Sequence, residues 1–202
     1  MAADEISTQE RILSAGKDEF LTKGFVEASL RNIAAKAGVT TGAIYGYYSD
    51  KNALFTSLVE PAAAEFTRQF LNVHDRYEYI PIDLTFQTSA NALNGMMDYI
   101  YENFDSFRLL ICCSAGSAYE DYIEFLVEKE DESTLKYAEI LRQNGYSVEP
   151  FSPTLVHILS RGFFSAIFET VAHGMEKEEA KQYVNHIVDF YRAGWSHLFG
   201  AK

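Results

Sequence analysis

The sequence predicts an all-α protein. Apolar residues recur at three- and four-residue spacing along most of the chain, and no regular alternation marks a strand. Only four prolines interrupt 202 residues. Capping residues and glycines fall where the periodic runs begin and end, as helix punctuation requires. Hydrophobic residues make up 48% of the chain, enough for a substantial core.

The elements follow in order. Ser7 with Glu10 three residues on reads as a capping box. Ile12, Leu13, Phe20 and Leu21 then recur at helical spacing, and Gly24 is a natural stop. A second helix opens at Ser29, carries Leu30, Ile33, Ala34 and Ala37, and ends at Gly38. A third runs from Thr40 or Thr41 to about Tyr48. Ser49 and Asp50 cap a fourth, with Leu54, Phe55, Leu58 and Val59. Pro61 falls inside that pattern and is expected to kink or break it. Longer helices are expected over about 85–104, 106–115, from Tyr119 to Gly145, from Pro153 to Gly174, and over 176–199. The charge run Glu128–Glu132 reads as a solvated helix face.

Composition narrows the function classes. The net charge is −12, but residues 1–60 carry six Lys/Arg against eight Asp/Glu, and the remainder 11 against 21. The acid therefore belongs mainly to the second part. A nucleic-acid contact by the first part has to rely on a few local cations and neutral donors. The polar, acidic opening MAADEISTQER is unlike a signal peptide, and no apolar run reaches the ~18 residues of a membrane span. Cys112 and Cys113 are adjacent, which is no disulfide framework, so a reduced cytoplasmic setting is the expectation. The five histidines offer no i, i+4 pair, so neither a metal nor another cofactor is expected. No nucleophile elbow, phosphate loop or His-Glu metal motif points to an enzyme.

Residues 30–48 read as a helix-turn-helix. Ala34 is small where two helices of such a unit cross closely, Gly38 stands where the turn needs φ > 0, and Val39 and Ile44 are apolar where the helices pack. Gly42 and Gly46, four apart in a short helix, cost it roughly 1 kcal/mol each. They leave one helix face without side chains.

The segment SLRNIAAKAGVTTGAIYGYYSDKNALF, residues 29–55, resembles the DNA-binding signature of TetR-family transcriptional regulators. Ile33-Ala34, Ala37-Gly38-Val39, Thr40, Gly42, Tyr45, Tyr47-Tyr48 and Lys51 stand at the pattern's positions. The resemblance implies an N-terminal three-helix DNA-binding domain (1–50) and a C-terminal helical effector-binding and dimerisation domain (51–202). It implies that the third helix enters the major groove of a double-stranded DNA operator. Ser29, Arg31, Tyr45, Tyr47 and Lys51 would then contact phosphate, while Thr40 and Thr41 meet base edges and Gly42 lets the backbone approach. Tyr48 takes the family's buried aromatic place. Thr41 and Gly46 depart from the family, which often carries basic or bulky residues there.

A family member pairs through its last two helices, giving a homodimer and a near-palindromic operator. The sequence supports a helix apolar on two sides: Leu155, Leu159, Phe163, Ala166 and Ile167 on one, Ile158, Phe164 and Phe168 with His157, Arg161 and Ser165 on the other. His157, Arg161, Phe164, Phe168, Tyr191 and Trp195 are the expected interface. Relatives bind a small molecule among the middle helices. Asn94, Met97, Tyr101, Arg108, Cys112, Tyr122 and Phe125 are the candidate pocket, suited to a bulky and mostly apolar effector. The whole reads as a repressor released by such an effector, acting in the cytoplasm without a membrane partner. The alternative is an all-α interaction or ligand-binding protein that has lost specific DNA binding.

Overall fold

The capping box forms as the sequence predicts. The Glu10 amide donates to Ser7 Oγ at 3.2 Å and the Ser7 amide donates to Glu10 Oε2 at 2.8 Å. Helix α1 (Thr8–Glu27) starts from it. The structure, a computed structural model, describes residues 7–74 and 82–200; the stretch before Ser7, including most of the acidic opening, lies outside the described residues. The remaining helices are α2 (Leu30–Ala37), α3 (Thr41–Tyr47), α4 (Lys51–His74), α5 (Ile82–Glu102), α6 (Phe104–Cys112), α7 (Tyr122–Gln143), α8 (Pro153–Ala172) and α9 (Lys177–Leu198). No strand occurs among the described residues.

The chain divides into two compact units, but not at residue 50. One unit takes the chain up to Ala64 and then Asn103–Asp121, and the other takes Glu65–Glu102 and everything from Tyr122. The α6 segment thus belongs with the N-terminal helices. Lys17 Nζ reaches Asp105 Oδ2 at 2.7 Å, Ser106 Oγ donates to the Leu58 carbonyl at 2.9 Å, and the Phe25 amide donates to the Cys113 carbonyl at 2.9 Å. These contacts bridge more than 40 residues of sequence, so no local pattern reports them.

The first unit is built around Phe20, Phe25 and Phe55. Phe20 and Phe25 both meet the Phe55 ring edge-on, at centroid distances of 5.1 and 5.3 Å. Gly16 allows α1 to lie close against α4, since a Cβ there would stand 3.3 Å from Leu54. Gly24 has φ 71°, which breaks the helical run within α1 where the sequence places its stop. Pro61, by contrast, does not end α4, which runs on to His74.

In the second unit α7 packs along α8, α8 along α9, and α5 against α9. Tyr137, Ala138, Leu141 and Phe199 form a buried cluster with Phe86, Phe151 and Trp195 around it. The run Glu128–Glu132 is not simply a solvated face. Asp131 turns toward α8, where His157 Nδ1 lies 2.9 Å from its Oδ2, and Glu130 lines an internal cavity. Helix α8 has the length and the mean hydropathy, 1.3, of a membrane span, although charged residues interrupt it. Its inner side explains that apolarity: Val156, Phe164, Ile167, Phe168 and Val171 are buried within the protomer.

Candidate nucleic-acid interface and internal cavity

The helix-turn-helix is assembled by caps. Gly38 ends α2 at φ 66°, ψ 36°, and its amide reaches the Ala34 and Ala35 carbonyls. Arg11 Nη1 donates to the Ala37 carbonyl at 3.2 Å and so satisfies another orphan acceptor at that end. Thr40 caps α3, its Oγ1 accepting from the Ala43 amide at 3.1 Å. Ile44 is fully buried and Tyr48 nearly so, which holds this seven-residue helix in place from one side. Gln9 Nε2 donates to the Tyr48 hydroxyl at 3.4 Å. Tyr48 is thus a core residue, as the resemblance implies.

The other side of α3 is open. Tyr45 is 56% and Tyr47 50% exposed. A Cβ added at Gly46 would meet nothing within 4 Å, and one at Gly42 only Thr40 Oγ1 at 3.7 Å. Neither glycine has a steric reason within the protomer. Thr40 is exposed and Thr41 half-buried beside them, and Arg31 is exposed at the start of α2. Ser29 precedes α2 without a side-chain cap bond; its amide donates to Glu19 Oε1 at 3.2 Å. Because Thr40 is both cap and candidate base contact, Thr40→Ala is expected to cost about 1 kcal/mol in unfolding free energy. It should also change the preferred base beside it in a binding-site selection.

Lys51 behaves differently from the expectation. Its Nζ donates to the carbonyls of Phe25 at 2.7 Å, Val26 at 2.9 Å and Ala28 at 3.2 Å. The ammonium also lies 4.6 Å from the centre of the Phe25 ring. Three donors meet three acceptors, so none is left for a phosphate. Asp50 occupies the head of α4 as well, accepting the Ala53 amide at 2.7 Å through Oδ1. Lys51 is therefore not free for the phosphate contact that the resemblance implies; it closes the C-terminal end of α1.

The other cations are mostly engaged too. Lys36 pairs with Asp18 at 2.6 Å, Lys17 with Asp105, and Arg11 with the end of α2. Of the six Lys/Arg in residues 1–60, Lys23 and Arg31 alone carry no partner among the described residues.

The second unit holds a cavity of about 160 Å³ that is partly open to solvent. Its wall comes from α4, α5, α7, α8 and α9 and is rich in rings, among them Phe66, Phe70, Phe86, Phe163, Phe164, Phe168, Tyr191, Trp195 and Phe199. The polar lining is sparse. Thr85 and Tyr137 hydroxyls bond each other at 3.0 Å, and Thr134 Oγ1 donates to Glu130 Oε1 at 3.4 Å. Arg192 pairs with Asp189 at 3.0 Å. Ser160 Oγ is buried with no hydrogen-bond partner. Burial pushes the Tyr191 phenol above its usual pKa, so it remains a neutral hydroxyl.

None of the seven residues named for a pocket lines this cavity. Asn94 Nδ2 donates to the Ala90 carbonyl and to Asn185 Oδ1 on α9, at 3.2 and 3.4 Å. Met97 is core, the Tyr101 hydroxyl donates to the Met175 carbonyl at 2.9 Å, and the Tyr122 hydroxyl lies 3.1 Å from Thr67 Oγ1. Phe125 is exposed. Arg108 and Cys112, both outside the core, belong to the first unit. On α5 the cavity is lined instead by residues such as Phe86, Ala90 and Leu93. The aromatic residues of α8 and α9 expected at a dimer contact face the interior of the unit instead.

That correction runs through the expected interface. Phe164 and Phe168 are buried in the protomer, and Tyr191 and Trp195 line the cavity. Arg161 bonds Glu124 on α7, and His157 bonds Asp131. The outward apolar residues are instead Leu155 and Ile158 on α8 with Tyr183 and Phe190 on α9. Among the described residues no cluster of three His, Cys, Asp or Glu side chains could hold a metal ion.

Comparison with known proteins agrees with this geometry. A family model described as "Bacterial regulatory proteins, tetR family" matches residues 12–58, from α1 into α4. The chain is 37% identical to the uncharacterized HTH-type transcriptional regulator TtgW of Pseudomonas putida over 116 residues, 54% of this chain and 84% of TtgW. It is equally similar to the HTH-type transcriptional regulator SrpR, also of Pseudomonas putida, over the same share of this chain, but that spans only 53% of SrpR. The fold matches that of SmeT, the repressor of the Stenotrophomonas maltophilia multidrug efflux pump SmeDEF, with a TM-score of 0.62 over 94% of this chain and 90% of SmeT at 18% identity. The capped helix-turn-helix, the match of the family model to it, and the identity across most of TtgW lead to one conclusion: the chain belongs to the TetR family of DNA-binding transcriptional regulators and is not an enzyme.

Proposed function

We propose that the protein is a cytoplasmic repressor that binds a near-palindromic operator as a homodimer and is released by a small, mostly apolar effector held in the cavity of the second unit. The observation that carries the DNA-binding half is the bare face of α3, where Gly42 and Gly46 have open space beside them and Tyr45 and Tyr47 flank them. A helix keeps two glycines at this cost when another molecule needs the space. Thr40 and Thr41 supply the polar contacts to base edges, and Ser29, Arg31, Tyr45 and Tyr47 those to phosphate. The aromatic cavity supports the effector half, and the repressor role of SmeT supports repression.

Gly46→Ala separates a structural from a DNA-facing role. The substitution meets no atom of the protomer and improves helix propensity, so stability should rise by roughly 0.5–1 kcal/mol. Affinity for the DNA upstream of the protein's own gene should fall about tenfold, since a methyl group now stands between helix backbone and groove. Undiminished binding by this more stable variant would remove the interface from α3.

The scarcity of unpaired cations predicts a shallow salt dependence. With one or two phosphates neutralised per protomer, log K should fall with log salt at a slope of about −2 to −4 for the dimer. Fluorescence anisotropy between 50 and 300 mM salt, roughly the range over which counterion release is read, measures it. A slope near −8 would mean that Lys17, Lys36 or Lys51 leaves its partner to reach the DNA.

A further inference from the structure

We propose that the cavity of the second unit takes a neutral aromatic molecule bearing a single hydroxyl group, and that Ser160 is the residue that recognises that hydroxyl. This rests on the reading of the cavity as the effector site. Ser160 lies on α8 within the cavity wall, is only 3% exposed, and its Oγ has no hydrogen-bond partner. A buried hydroxyl without a partner is a standing cost to the protein, and a serine in a helix can normally avoid it by bonding a carbonyl of the preceding turn. Thr170 and Ser114 do so, to the carbonyls of Ile167 and Leu110 at 2.7 Å each. Ser160 does not. A turn about its single χ1 bond redirects the hydroxyl without moving the helix.

The rest of the wall selects the body of the ligand. Flat rings at several angles suit an aromatic molecule through stacked and edge-on contacts. A cavity of this volume is of the size that holds a single substituted ring. Charge is disfavoured on the anionic side by the Glu130 carboxylate in the wall, while Arg192 is already paired with Asp189 toward the outside. Among the other cavity hydroxyls, Thr85 and Tyr137 hold each other, Thr134 donates to Glu130 and Ser89 donates to the Thr85 carbonyl. Turned about χ1 toward the cavity, the Ser160 hydroxyl is a free polar point in an aromatic wall, able to donate to or accept from one ligand oxygen.

The test uses 4-ethylphenol and 4-ethyltoluene, which differ by a hydroxyl in place of a methyl group. Calorimetry on the full-length protein should show the phenol binding about tenfold more tightly, the equivalent of one hydrogen bond. Ser160→Ala should bring the two within about twofold of each other by weakening the phenol alone. Its urea midpoint should be unchanged or higher, because the variant also removes an unpaired polar group. A Ser160→Ala protein that keeps the tenfold preference overturns the role of Ser160, as does a wild type that binds both equally. In the latter case release of operator DNA by both compounds leaves the effector site standing. The expected preference without any effect on DNA affinity has the opposite meaning: Ser160 recognition holds and the effector reading falls. Absence of binding by either compound overturns both.

Discussion

Lys51→Ala is expected to lower the unfolding free energy by about 2 kcal/mol while leaving the salt slope of DNA binding unchanged. The ammonium satisfies the carbonyls of Phe25, Val26 and Ala28 and rests against the Phe25 ring. Removing it leaves three acceptors at the end of α1. The bond to Val26 is exposed, so water replaces part of the loss there, whereas those to Phe25 and Ala28 are half-buried. The damage lands on the aromatic centre of the unit, because Phe25 packs edge-on against Phe55. DNA affinity then falls through a smaller folded fraction, equally for all sequences. A phosphate contact behaves otherwise: its loss leaves stability alone and reduces the salt slope by about one unit. Urea unfolding and anisotropy at several salt concentrations, at a temperature where both proteins are fully folded, separate the two. Lys51→Arg should recover little, since a planar guanidinium cannot aim three donors at three converging carbonyls. A stable variant with a shallower slope would restore the phosphate role.

That reversal shows where sequence reasoning works and where it stops. The capping box at Ser7, the stop at Gly24 and the αL turn at Gly38 all depend on residues within four positions of each other, and all three form as read. The partners of Lys51 lie 23 to 26 residues away, and a lysine at the head of a helix looks the same in sequence whether it faces phosphate or a neighbouring helix end. The bare face of α3 was legible because glycine in a short helix breaks a local rule, and the structure offers no internal reason for it. The cavity was not, because the decisive fact is which side of α8 turns inward. A helix apolar all round carries no such mark. Arg161 and His157 suggested, beside the aromatics, an outward side that meets a second copy, yet both pair with carboxylates of α7. The charge run at 128–132 misled for a related reason: Asp131 and Glu130 face their own unit through contacts with residues far along the chain.

The inward turn of Phe164 and Phe168 leaves a different surface for the proposed homodimer, and with it the second large effect. Ile158 on α8 is 59% exposed and Phe190 on α9 75%, with Leu155 and Tyr183 on the same two helices. Large exposed apolar side chains on two adjacent helices are candidates for an interaction site. Because a two-fold interface presents the same patch from both protomers, each substitution acts twice. Truncating or charging a central apolar residue costs an interface roughly 2 kcal/mol or more, about 30-fold in affinity. Ile158→Glu combined with Phe190→Glu should therefore weaken the dimer by roughly a thousandfold from one copy of each residue and further from the second, and sedimentation at micromolar concentration should show monomer. Stability of the isolated protomer should hardly change, as neither residue is buried in it. Operator affinity should collapse, because one helix-turn-helix engages one half-site and the second half-site no longer adds its share. Affinity for a single half-site should stay the same, which separates lost pairing from damaged DNA contacts. Phe164→Glu is the contrasting control: it places a charge in the protomer core and should unfold the second unit rather than split a folded dimer. A dimer that survives both outward substitutions would place its contact on another face, and the cavity aromatics would then have no pairing surface behind them.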